Sequence, residues 1–385
     1  MTNPRWSSGR NSRPGNAARV GFVAALGLAC LSAPQEARSA APPVRTPVIY
    51  CTDLHHPHTD PDDHFDLATL FALPELDVRA ILLDLGADQA QRPGRVPLSQ
   101  MFRLTGRHIP FATGLTEKLK SPTDAARQQP AESQGAVDLL LTTLREANAP
   151  VTYIGTGSAR DLVAAFNRQP ELLRRKLARV YVVMGNAADG GREWNVDLDP
   201  MAFVGLLRSG LPLYWCPCLP MDLAAPEARF STYWKFTQAE VLESAPRPLQ
   251  NFFIYALQTV RPEDVDPLTA LESHLWPWRH LVWKMERNMW STPALLHAAG
   301  RQVYRVDNRW LAGHAQPPAP NAKRVELFTF VPARVEVDDT GHTRKTVDAP
   351  NANVRLFQRA NPTNYQAAMS SCLADLFSRF PLSAR

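Results

Sequence analysis

Short apolar runs rich in branched residues recur along the first half of the chain, at residues 48–51, 78–83, 109–112, 151–154, 180–184 and 211–215. Between them lie segments of helical character, at 65–73, 137–144, 162–166 with 172–177, and 201–207. Strands that alternate with helices predict an α/β fold, a mostly parallel sheet with helices on both faces. Beyond residue 219 the pattern becomes tryptophan-rich and mostly helical up to 299. A strand-and-turn segment at 325–347 and a closing helix at 365–380 follow. No internal repeat interrupts this order.

In such sheets the ligand site lies outside the carboxyl ends of the strands, on the loops that lead into the helices. Three polar or glycine-rich loops occupy that position: 52–66 after the first run, 155–161 after the fourth and 185–195 after the fifth. The first packs Asp53, Asp60, Asp62, Asp63 and Asp66 together with His55, His56, His58 and His64. So many like charges repel unless a cation is held among them, which points to a divalent ion. A solvated acidic loop, with Asp62 and Asp63 serving only the helix N-terminus, is the plain alternative.

The chain has 385 residues and a formal charge of +5. Without a basic face interleaved with aromatics, that charge gives no reason to expect nucleic acid as a partner. Arg5, Arg10, Arg13 and Arg19 precede an apolar stretch at 20–31 too short to span a bilayer, and small residues follow up to Ala41. This reads as a secretory signal peptide over 1–40, giving a secreted or periplasmic domain at 45–385 without membrane attachment. An N-terminal core helix is the competing reading. Four cysteines, Cys51, Cys216, Cys218 and Cys372, would remain, too few for a disulfide framework, although one bridge at Cys216 or Cys218 stays open.

Asp53-Leu54-His55 could open a two-metal phosphoesterase, but Met184-Gly185-Asn186-Ala187 lacks the histidine such a site needs. No phosphate loop or serine elbow is present. Four blocks instead resemble the calcium-dependent nucleoside hydrolases, the inosine/uridine-preferring N-ribohydrolases. They are Val48-Ile49-Tyr50-Cys51-Thr52-Asp53 with Asp60-Pro61-Asp62-Asp63; Val151-Thr152-Tyr153-Ile154-Gly155 through Ala159-Arg160-Asp161-Leu162; Val182-Val183-Met184-Gly185 with Glu193-Trp194-Asn195 and Asp199-Pro200; and the segment from Val335 to Asp348 around Thr340-Gly341-His342-Thr343.

The resemblance implies hydrolysis of an N-glycosidic bond in a nucleoside or related ribosyl substrate. It makes Asp53 both a calcium ligand and the base that activates water, Asp63 a calcium ligand, and Asp62, Glu193 and Asn195 the residues that hold the sugar. Arg160 falls where the family turns a threonine backbone carbonyl to the metal. Thr292, in Ser291-Thr292-Pro293, stands where the family has a further calcium-binding aspartate, so either Asp60, a histidine or a shifted acid compensates or the metal site is weak or altered. Trp276, Trp278, Trp283 and Trp290 are candidates to stack on a base. A non-catalytic nucleoside- or sugar-binding protein and a metal or redox protein are the rival readings, and a homo-oligomer is compatible with the sequence.

Overall fold

The computed structural model describes residues 45–384 apart from 189–191, 258–264 and 275, and only the backbone of 276 and 277. The expected signal segment lies outside the described residues. The six apolar runs form β1 (Thr46–Thr52), β2 (Leu76–Leu83), β3 (Phe111–Thr113), β4 (Val151–Gly155), β5 (Leu177–Val183) and β6 (Leu213–Cys216). All pair in parallel, in the order β6-β5-β4-β1-β2-β3. Val354–Arg359 extends the sheet in parallel beyond β6, and Phe328–Val337 and Thr343–Val347 close it as an antiparallel pair. That pair is the strand-and-turn segment read from the sequence.

Side chains alternate across β1 and sort the core into two layers, one on each face. Val48 and Tyr50 pack with Asp62–Ala72, here α1, and with the helices Arg247–Ala256 and Pro362–Ser378. Ile49 and Cys51 pack with the helices Gly135–Glu146, Arg160–Arg168 and Pro200–Arg208. Apart from Arg247–Ala256, which falls in the stretch read only as mostly helical, each of these helices lies within a few residues of its predicted place. α1 is anchored by Phe65, which stacks on Phe253 at 4.1 Å.

The tryptophan-rich stretch differs from expectation. It contains helices, but Trp234–Thr237 and Glu286–Met289 pair as an antiparallel ribbon, and Gln302–Val306, Arg309–Gly313 and Lys323–Val325 form a small separate sheet. Strands of three to five residues are too short to display a period of two. The helices Gly86–Gln91 and Arg95–Thr105 were likewise not predicted, since glycine and polar residues at their starts conceal the periodicity.

Candidate active site

The order of the strands reverses between β1 and β4, because β2 and β3 extend the sheet one way and β5 and β6 the other. A crevice opens at such a switch point. Here it is a cavity of about 660 Å³, walled by the acidic loop, Thr156 after β4, the 193–195 segment, and Cys218 and Leu219 beyond β6. Asp53, Asp62, Asp63, Glu193 and Asn195 all line it. Five of the seven residues singled out for the site therefore converge.

Asp53 follows directly on the last residue of β1, and Asp62 and Asp63 begin α1, whose N-terminal dipole favours negative charge. Asp63 is buried, and its Oδ1 accepts hydrogen bonds from the Thr52 hydroxyl at 2.5 Å and the Thr156 hydroxyl at 3.1 Å. Its carboxyl is also in hydrogen-bonding contact with that of Asp53. One turn further along α1, Asp66 lines the same wall and accepts from the Ser291 hydroxyl.

Burial, then the charges of Asp63, Asp84 and Asp62, raises the Asp53 carboxyl well above the usual range. Burial and the neighbouring aspartates do the same to Asp62, and burial followed by Asp63 does so to Asp66. Asp63 is raised by burial against the opposing effect of its hydroxyl partners. Carboxylates that disfavour one another's ionisation this way form a donor set that a cation relieves. The residues present thus fit a divalent ion by their chemistry, and His58, Asp62 and Asp63 each offer a donor atom within 4.8 Å of the others.

Glu193 is the N-cap of the short helix Trp194–Leu198. Its carboxylate accepts from the backbone N–H groups of Gly185 at 2.6 Å and Asn195 at 2.9 Å, and burial raises its pKa to about 7. Asn195 donates through Nδ2 to the carbonyls of Thr156 and Val183, which fixes the amide plane. Both residues therefore tie the loop together and face the cavity.

Arg160 and Thr292 do not line this wall. Arg160 opens a helix, and its buried guanidinium bonds Asp199, Leu115 and Leu198. Thr292 is fully buried with its hydroxyl unbonded, and it is the preceding Ser291 that reaches Asp66. Asp60, a possible substitute ligand, is paired with Arg287 at 2.5 Å. Of the three candidate stacking tryptophans whose side chains are described, Trp290 lines the cavity. Trp283 donates to Glu243 outside it, Trp278 is not on the wall, and the Trp276 side chain lies outside the described residues. Cys216 and Cys218 are free buried thiols whose pKa burial raises, which disfavours thiolate redox chemistry.

Thr156 and Trp194 belong to loops the sequence assigns to the pocket but were not singled out, and Arg92 and Ser291 were missed as wall residues. Trp194, 71% exposed at the mouth, carried a visible signal, since a tryptophan between two candidate sugar contacts has little reason to face water.

The family described as inosine-uridine preferring nucleoside hydrolase matches residues 57–367. Pyrimidine-specific ribonucleoside hydrolase RihA from Escherichia coli O127:H6 is 32% identical over 188 residues, and RihA from Citrobacter koseri is 33% identical over 189. Each alignment takes in 43% of this chain and 58% of the relative, so the chain spans little more than half the length of the curated relatives it matches. A plant nucleoside hydrolase, the PpNRh1 enzyme, shares the fold with a TM-score of 0.51 at 14% identity, over 86% of this chain and 99% of its own. The family match begins inside the histidine loop, beyond β1 and Asp53.

Proposed function

Because the chain belongs to the inosine-uridine preferring nucleoside hydrolase family, we propose that it hydrolyses the N-glycosidic bond of a nucleoside or related ribosyl substrate. The observation that carries this reading is the meeting of Asp53, Asp62 and Asp63 with Glu193 and Asn195 around one cavity at the switch point of the sheet. Asp53 and Asp63 would hold a divalent cation, with Asp62 beside them. Such an ion supplies charge that acidifies a water and orients the sugar hydroxyls.

The chain's own residues do the rest. Asp53, at the strand end, takes the proton from the attacking water. Asp62 and Asn195 accept hydrogen bonds from sugar hydroxyls, Asn195 through the Oδ1 that its Nδ2 bonds leave free. Glu193 fixes the loop at the sugar's 5′ end. The carboxylates around the anomeric carbon favour the positive charge that develops as the glycosidic bond breaks. Trp290, fixed by its Nε1 bond to the Cys218 carbonyl, and Trp194 offer ring faces to the base. We also propose that the protein is exported and that residues before about 42 are removed.

Reducing-sugar release from a panel of purine and pyrimidine nucleosides tests the reading. Asp53→Asn should lower kcat by roughly 10²–10⁴-fold with the fold intact by circular dichroism. Release of sugar at the parent rate by the variant would remove Asp53 from the base role. A parent protein that binds nucleosides without cleaving any would favour a binding protein instead.

A further inference from the structure

Resting on the metal-assisted reading above, we propose that His58 completes the cation site. The site would then take a transition-metal ion of the manganese-to-zinc series through mixed nitrogen and oxygen donors, in place of calcium. His58, Asp62 and Asp63 place one donor atom each within 4.8 Å of one another, so Asp62 lends one oxygen to the ion and keeps the other for the sugar. Among the described residues no hydrogen bond or ion pair joins the imidazole to either acid. Donors held at roughly 2.0–2.2 Å from one ion stand about 3–4 Å apart, so small side-chain movements close the set.

The oxygen supply argues the same way. Calcium takes 6–8 oxygen ligands, roughly speaking, and several candidates here are committed elsewhere. Asp60 is held by Arg287 and Asp66 by Ser291. Thr292 is not on the wall. With Asp53, Asp62 and Asp63 as oxygen donors on the wall and an imidazole beside them, the mixed nitrogen and oxygen set suits manganese, cobalt or zinc better than calcium, which takes oxygen ligands alone.

The ring is also held in place. The His58 backbone N–H donates to the Ala256 carbonyl at 2.9 Å, the imidazole stacks on His55 at 3.9 Å, and His64 meets it edge-on. The Asp60 N–H donates to His58 Nδ1 at 2.9 Å, which puts the ring proton on Nε2. Binding through Nε2 moves that proton to Nδ1 and opens the Asp60 contact.

The test uses the full chain stripped of metal, titrated calorimetrically with calcium, manganese, cobalt or zinc chloride alone. Electron spin-echo spectra of bound manganese report any directly coordinated imidazole nitrogen. We expect one cobalt ion per chain, bound at least tenfold more tightly than calcium, and nitrogen coupling in the manganese form. His58→Gln should weaken cobalt at least tenfold, shift calcium less than twofold and abolish the coupling. Asp63→Asn should weaken every ion. Calcium binding as tightly as cobalt, or a His58→Gln variant equal to the parent, would overturn the proposal and leave the hydrolase reading standing. Cobalt retained at full strength in Asp63→Asn would remove Asp63 from the ligand set and also overturn it. Binding of no divalent ion at all would overturn both.

Discussion

A carboxylate that accepts two backbone N–H groups would ordinarily titrate low, yet burial outweighs those bonds at Glu193 and carries it to about 7. The fold therefore favours the protonated acid. Between the ordinary 4.5 and about 7 the native state binds more protons than the unfolded chain, so this residue's contribution to stability falls as pH rises through that window. The full effect is at most about 3 kcal/mol. In urea denaturation at pH 5 and pH 8, the parent should lose more stability across the interval than Glu193→Gln. The amide variant places an NH₂ against a backbone N–H, but that penalty is the same at both pH values and cancels. Parallel losses in the two proteins would show that Glu193 does not titrate in this range.

Between elements, the loops after β1 and β4 approach so closely that only glycine fits at 157. A Cβ there would lie 2.9 Å from the Asp53 backbone nitrogen and 2.9 Å from Asp84 Oδ2. Gly157→Ala should cost about 1–3 kcal/mol in thermal unfolding and displace Asp53, lowering turnover more than a distant substitution of equal destabilisation. Unchanged activity at reduced stability would separate Asp53's position from this contact. The closeness of these loops was legible in part. The apolar runs mark the strand ends, and the sequence alone assigns Asp53, Asp62, Asp63, Glu193 and Asn195 to one edge. It does not identify the partners that tune them. Thr156 and Ser291 reach Asp63 and Asp66 from 93 and 225 residues away, and nothing local in the sequence distinguishes those hydroxyls from others. Arg160 and Thr292 were placed by counting along a motif, which cannot tell on which side of a helix start a residue falls. The short strands at 234–237 and 286–289 exist through tertiary pairing alone.

As a whole molecule, residues 43–385 form one compact unit with a continuous sheet and a core on each face. Protein beginning at Pro43 should therefore unfold in one cooperative transition within about 1 kcal/mol of the full chain, as read by urea titration. N-terminal sequencing of exported protein should find a start between about residues 34 and 42, where small residues follow the apolar stretch. An intact Met1 on the exported form would refute the cleavage. Among the described residues the sheet is unpaired beyond β3 and beyond Thr343–Val347, and an open side is a template on which strands of other molecules can add. β3, only three residues long, offers too little backbone for that, and the far strand Thr343–Val347 carries the exposed Arg344, whose charge repels a second copy laid beside it, while Lys345 is paired with Glu227. Self-association should consequently proceed through helical or loop surfaces, and concentrated or partly heated protein should resist fibre formation by sheet extension.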